Sequence, residues 1–101
     1  MKKETITQRD AILILLNYRP NITFESISGE LPGYYRKKLT YAVQKLICDE
    51  LVDYYPAKDG KSEKYMLTKG GKKTFYERFA KLRKDDKTAN QLEHMIYAFD
   101  G

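Results

Sequence analysis

The stretch LICDELVDYYPAKDGKSEKYMLTKGGKK, from Leu46 to Lys73, decides how this chain folds. At its centre stands Asp59-Gly60, a pair favoured in tight hairpins because the turn needs positive φ at both central positions. On either side, Leu51 to Tyr55 and Lys64 to Leu67 alternate apolar with polar residues and are rich in valine and tyrosine, as half-buried strands are. After the second strand, Thr68 is placed to cap a helix running to about Lys84, with Phe75, Phe79 and Leu82 turned inward. Gly70 and Gly71 are poor in a helix interior but tolerable in a first turn. There, one or both let the helix pack closely against the end of the hairpin.

The start of the quoted stretch belongs to a longer helix, running from Tyr34 or Tyr35 to Glu50. At about 100° per residue, Tyr35, Leu39, Ala42, Val43, Leu46 and Ile47 fall on one apolar stripe. Lys37, Lys38, Tyr41, Gln44, Lys45 and Cys48 take the opposite face, with Arg36 and Thr40 along its edge, and no acid interrupts them before Asp49. Further upstream, Thr7 is a good N-cap with Asp10 as its capping-box partner, opening a helix to Tyr18 that Arg19-Pro20 stops. Its unbroken AILILL run predicts a helix enclosed on most sides, with Ile6 stapled against Ala11. Asn21-Ile22-Thr23 is a connector with room for a brief extended piece. A short helix follows over about Phe24 to Leu31, with Phe24, Ile27 and Leu31 on one face. Leu31-Pro32-Gly33 makes the next turn. Beyond Leu82, RKDDK reads as a solvated linker, and Ala89 to Phe99 as a last helix carrying the stripe Leu92, Met95, Ile96 and Phe99.

A chain of 101 residues is one domain with a single modest core. No apolar run approaches the roughly 20 residues a membrane span needs. The N-terminal MKKETITQRDAILILL has two lysines before an apolar patch, but Gln8, Arg9 and Asp10 interrupt it and no small-residue cleavage site follows, so a leader is rejected. One cysteine excludes an internal disulfide framework and suits a reducing, cytoplasmic setting. With a single histidine beside it, a protein-only zinc site is not expected, and no cofactor is expected. The net charge of +5 is moderate, so its distribution decides more than its size. Arg36 to Cys48 holds four positive residues and no negative one; Ala57 to Lys73 holds six positive and two negative. Thr88 to Gly101 holds two acids and no lysine or arginine. Positive charge concentrated in mid-chain fits a polyanionic partner.

Helix, turn and basic helix followed by a charged hairpin is the winged helix-turn-helix arrangement, an α+β fold that is mostly α. The expected organisation is a three-helix core with a β-hairpin wing over residues 1–84, and a C-terminal helix over 85–101 for packing or dimerisation. The stretch from Leu39 to Lys73 also resembles the second half of MarR- and PadR-type transcriptional regulators. There, a recognition helix ends in a short acidic segment before the first wing strand, and an Asp-Gly wing and a Leu-Thr-x-x-Gly motif follow. This chain matches the motif at Leu67, Thr68 and Gly71. It departs from the pattern at Glu50, where the family usually has glycine before the first wing strand. A MarR-type protein would also carry an N-terminal dimerisation helix, for which the residues before the first helix leave no room. PadR-like short members, which dimerise through a C-terminal helix, fit the length better.

The resemblance implies sequence-specific binding to double-stranded DNA by a repressor-type regulator. The residues themselves are compatible with that. Lys37, Lys38 and Lys45 suit phosphates, while Arg36, Thr40, Tyr41 and Gln44 carry groups able to read base edges. Lys58, Lys61 and Lys64 on the wing are placed to grip a neighbouring phosphate strand, with Asp59 and Glu63 diluting them. The plain alternative is a solvated basic surface, and the same fold also serves as a protein–protein adaptor without DNA binding. The stripe Leu92, Met95, Ile96 and Phe99 can fold back on the first helix or pair with a second copy; a homodimer is the expectation, since it supplies the two-fold symmetry a palindromic operator requires. Nine tyrosines are read as core and wing-base packing ahead of base stacking. Cys48 lies beside Asp49 and Glu50, which work against a lowered thiol pKa, and His94 reads as a packing or surface residue. An enzyme is not expected: no nucleophile–base pair, paired carboxylates or phosphate-binding glycine loop is present by spacing.

Overall fold

Thr7 opens the first helix as its sequence requires. Its hydroxyl accepts from the Asp10 N–H at 3.1 Å, and the Asp10 carboxylate accepts from the Thr7 N–H at 3.0 Å, closing a reciprocal capping box. The computed structural model describes residues 6–100. Residues 1–5, on which the leader and N-terminal-helix readings bear, lie outside the described residues. The order is α1 (Gln8–Tyr18), α2 (Phe24–Glu30), α3 (Arg36–Cys48), β1 (Val52–Tyr55), β2 (Lys64–Leu67), α4 (Lys69–Leu82) and α5 (Asp86–Asp100).

The AILILL run makes α1 the axle of the molecule. Ala11 to Leu16 are all buried, and α1 touches α2, α3, α4, α5 and β2. Asp10 is only 5% exposed, a burial that would be costly for a carboxyl group without partners. Arg78 of α4 supplies one, its Nε donating to the two carboxylate oxygens at 3.0 and 3.2 Å.

β1 and β2 pair antiparallel, with Val52 opposite Leu67 at the base and Tyr55 opposite Lys64. Ile22 adds a single bridge to Tyr65, so the expected brief extended piece exists as one residue. Thr68 then caps α4 by accepting from the Gly71 N–H at 2.9 Å. Its hydroxyl also donates to the Glu50 carbonyl at 2.7 Å, tying the start of α4 to the end of α3.

Two helix starts differ from expectation. The supposed linker RKDDK contains the start of α5: Asp85 accepts from the Thr88 N–H at 3.0 Å and from its hydroxyl at 2.9 Å, so the helix begins at Asp86. Tyr35, assigned to the apolar stripe of α3, is its N-cap with extended backbone and is 77% exposed. The helical rotation that placed it inward does not operate one residue before the helix.

On α5, Leu92 and Phe99 are buried in the same core as α1, and Met95 and Ile96 are partly buried against it. The first two side chains are therefore engaged within the chain, because an apolar stripe of this spacing fits α1 as well as it fits a second copy. Among the described residues no helix is long and apolar enough to cross a membrane.

Candidate nucleic-acid interface

Leu39, Val43 and Leu46 bury one side of α3 against the core, which turns the other side to solvent. Lys37, Lys38, Thr40, Tyr41, Gln44, Lys45 and Cys48 are all exposed, Tyr41 at 71% despite its ring. A helix of this length, roughly 20 Å at 1.5 Å per residue, fits a major groove about 12 Å wide. The first turn of α3 holds no acid, and its N-cap Tyr35 offers no side-chain hydrogen bond. Three cations, Arg36, Lys37 and Lys38, thus stand at the positive end of the helix, the end where charge of that sign is least favourable. Lys38 settles part of its charge over the Tyr35 ring, 5.8 Å from the centroid. The exposed Thr40 hydroxyl donates to the Arg36 carbonyl at 3.0 Å.

Two acids near this face are neutralised by arginines. Asp49, at the C-cap of α3, accepts from Arg9 Nη1 of α1 at 2.8 Å. That hydrogen bond, with smaller help from the charges of Arg9 and Lys45, holds its carboxyl below the ordinary range. Glu25 of α2 accepts from both terminal nitrogens of Arg36, the Nη1 contact at 3.2 Å, and is likewise held low. The Arg36 guanidinium also lies over the Phe24 ring at 5.1 Å. Neither Arg9 nor Glu25 was singled out from the sequence; each partner is distant along the chain, and only the packing of α1 and α2 around α3 brings them together.

The wing forms as the Asp-Gly pair predicts. Asp59 and Gly60 have φ of 51° and 78°, and Lys58 and Lys61 exchange backbone hydrogen bonds at 3.1 and 2.9 Å. This is the geometry of a two-residue turn with both central residues left-handed. It sets Lys58 directly opposite Lys61, an arrangement that costs stability between like charges unless an anion sits between them. Lys64 is half-buried further down, opposite Tyr55. Tyr54 and Tyr65 stack across the strands at 5.0 Å, and burial, with the nearby Tyr54 and Glu63, pushes the Tyr65 phenol up, so it stays a neutral donor. The structure thus brings Lys37, Lys38, Thr40, Tyr41, Gln44 and Lys45 onto one face of α3. It sets Arg36 at that face's edge, and it puts Lys58 and Lys61 at the wing tip. Among the described residues no group of three or more His, Cys, Asp and Glu side chains is arranged to hold a metal ion.

Neither a protein-family model nor a curated protein matches the chain. Solved structures do. A variant of ZitR from Lactococcus lactis superposes with a TM-score of 0.66 over 93% of this chain, at 22% identity. The adhesin competence repressor AdcR from Streptococcus pyogenes superposes with a TM-score of 0.66 over 91%, at 17% identity. The fold is a winged helix. At these identities the likeness is one of fold, and the chain spans somewhat less than two thirds of those proteins, 64% of the first and 66% of the second. Within the winged helix, α2 and α3 are the helix-turn-helix and residues 56–63 the projecting tip of the wing.

Proposed function

We propose that this chain is a sequence-specific, double-stranded DNA-binding transcriptional regulator of the MarR-like winged-helix type, acting as a repressor. The observation that carries the reading is the exposed face of α3: cations and hydrogen-bonding side chains, no acid from Arg36 to Cys48, and the flanking Asp49 neutralised by Arg9. In this reading α3 enters the major groove. Lys37, Lys38 and Lys45 meet phosphates, and Thr40, Tyr41 and Gln44 meet base edges. Lys58 and Lys61 straddle a backbone phosphate, which relieves their mutual repulsion, and Lys64 adds charge behind them. That AdcR is a repressor supports the same class of activity. A homodimer belongs to this reading because a palindromic operator needs two-fold symmetry. With Leu92 and Phe99 engaged in the chain's own core, α5 would contribute Met95, Ile96 and the exposed Tyr97.

The test is selection of bound duplexes from a random pool, followed by titration of the winner at two salt concentrations. A two-fold symmetric consensus is expected, with affinity falling about 10³-fold between 50 and 200 mM salt if the six lysines each meet a phosphate. Replacing Gln44 or Tyr41 should relax the consensus, whereas replacing Lys58 and Lys61 should weaken all duplexes alike. Absence of binding to any duplex at low salt would leave the adaptor reading in its place.

A further inference from the structure

Among the described residues Glu25 is the one acid bonded to the first turn of the proposed recognition helix, and it is bonded to Arg36, the residue that opens that helix. Both partners are largely exposed, with side-chain exposures of 59% for Arg36 and 71% for Glu25. Such a pair contributes little to stability and is readily exchanged for another partner. Three features make the exchange asymmetric. Arg36 sits at the positive end of α3, so it gains from any anion that approaches. Glu25 sits in the first turn of α2, so its charge stays stabilised by that helix after Arg36 leaves. Phe24 supports the Arg36 guanidinium from below, so the planar group stays presented as the carboxylate is replaced.

We infer that Glu25 is an internal competitor for the DNA backbone, occupying Arg36 in the free protein and giving way to a phosphate in the complex. This rests on the DNA-binding reading above. Its consequence is a penalty common to every duplex: the carboxylate must lose its partner and then lies close to incoming phosphates. The ratio between one sequence and another is unchanged. Specific and non-specific binding weaken by the same factor, which offsets part of the sequence-independent affinity that the other lysines supply. The opposite role, in which Glu25 holds Arg36 ready for a base, predicts the reverse sign.

The experiment is a double-mutant cycle on the full chain, titrating Glu25→Gln, Arg36→Gln and the double variant against a random-sequence duplex at one fixed salt concentration. Thermal melts of each variant verify folding. Glu25→Gln is expected to bind about three- to ten-fold tighter than the unaltered chain, and Arg36→Gln to bind more weakly. In the Arg36→Gln background the same Glu25 change should bring less than about a two-fold gain, the part due to charge alone. Equal or weaker binding by Glu25→Gln, or an undiminished gain without Arg36, overturns the inference while leaving DNA binding standing. Failure of both the unaltered chain and Glu25→Gln to bind duplex at low salt overturns the two together.

Discussion

A methyl group added to Gly71 would place its carbon 2.0 Å from the carbonyl oxygen of Leu51. The obstacle is backbone, so no rotamer change relieves it. The start of α4 must lie against the hairpin base for Thr68 to reach the Glu50 carbonyl and for the Thr68 N–H to reach Leu51 at 3.0 Å. Gly71→Ala is therefore expected to lower stability by at least about 2 kcal/mol, measured by denaturant unfolding. Gly70 meets nothing closer than 3.6 Å, and Gly70→Ala should raise stability by about 0.5 kcal/mol. The Leu-Thr-x-x-Gly pattern marked Gly71 of the two glycines, though not why it must be glycine, since that depends on the path of a backbone segment twenty residues earlier. Glu50 is the reverse case. Its φ of 63° is the left-handed conformation for which a glycine was expected. The Leu51 N–H bonds the Leu46 carbonyl at 2.9 Å and the Glu50 N–H bonds the Ile47 carbonyl at 3.0 Å, the paired closure of a Schellman cap. The conformation is kept while the residue suited to it is absent. Glu50→Gly is expected to stabilise by about 0.5–1 kcal/mol, visible as a higher denaturant midpoint with an unchanged slope.

At the scale of the element, α3 is held at both ends by ion pairs, Arg36 with Glu25 and Arg9 with Asp49. Both carboxyls are held below their ordinary range by these arginines. A carboxyl whose folded pKa is depressed adds stability that is fully present above its unfolded pKa and is lost as pH falls through the folded one. The contribution of these pairs should therefore be flat above about pH 5 and decline progressively as pH falls below about 4. The variant Glu25→Gln/Asp49→Asn should melt slightly lower than the unaltered chain near neutrality. Its melting temperature should also fall less steeply in acid; parallel pH profiles would show that neither pair couples to folding. The span of α3 was legible from periodicity because its buried stripe is regular. Its clamps were not, because ion pairs between distant segments leave no periodic trace. The early start of α5 was missed for a related reason: in RKDDK the charges suggested solvent, whereas Asp85 spends its carboxylate on the N-terminal groups of the helix.

For the whole molecule, the question is what α5 does for the winged helix. Arg19, at the end of α1, donates from Nε to the Phe99 carbonyl at 2.9 Å and pairs with Glu30 of α2 at 3.1 Å, joining three helices at one corner. Leu92 and Phe99 complete the enclosure of α1, and α1 in turn supports α3. The exposed face of α3 therefore rests on a core to which the last helix belongs. An apolar stripe in the sequence cannot distinguish this from subunit pairing, because the same four residues satisfy either. Concentration distinguishes them. Leu92→Ala is expected to cost about 2–5 kcal/mol of stability, by the same amount at low and high protein concentration, because the cavity opens inside one chain. A substitution at the rim, Ile96→Asn, should instead weaken self-association in sedimentation if α5 also meets a second copy, with a smaller loss of intrinsic stability because Ile96 is only partly buried. A cost for Leu92→Ala that grows on dilution would mean that the second copy, not α1, is the surface this residue chiefly serves.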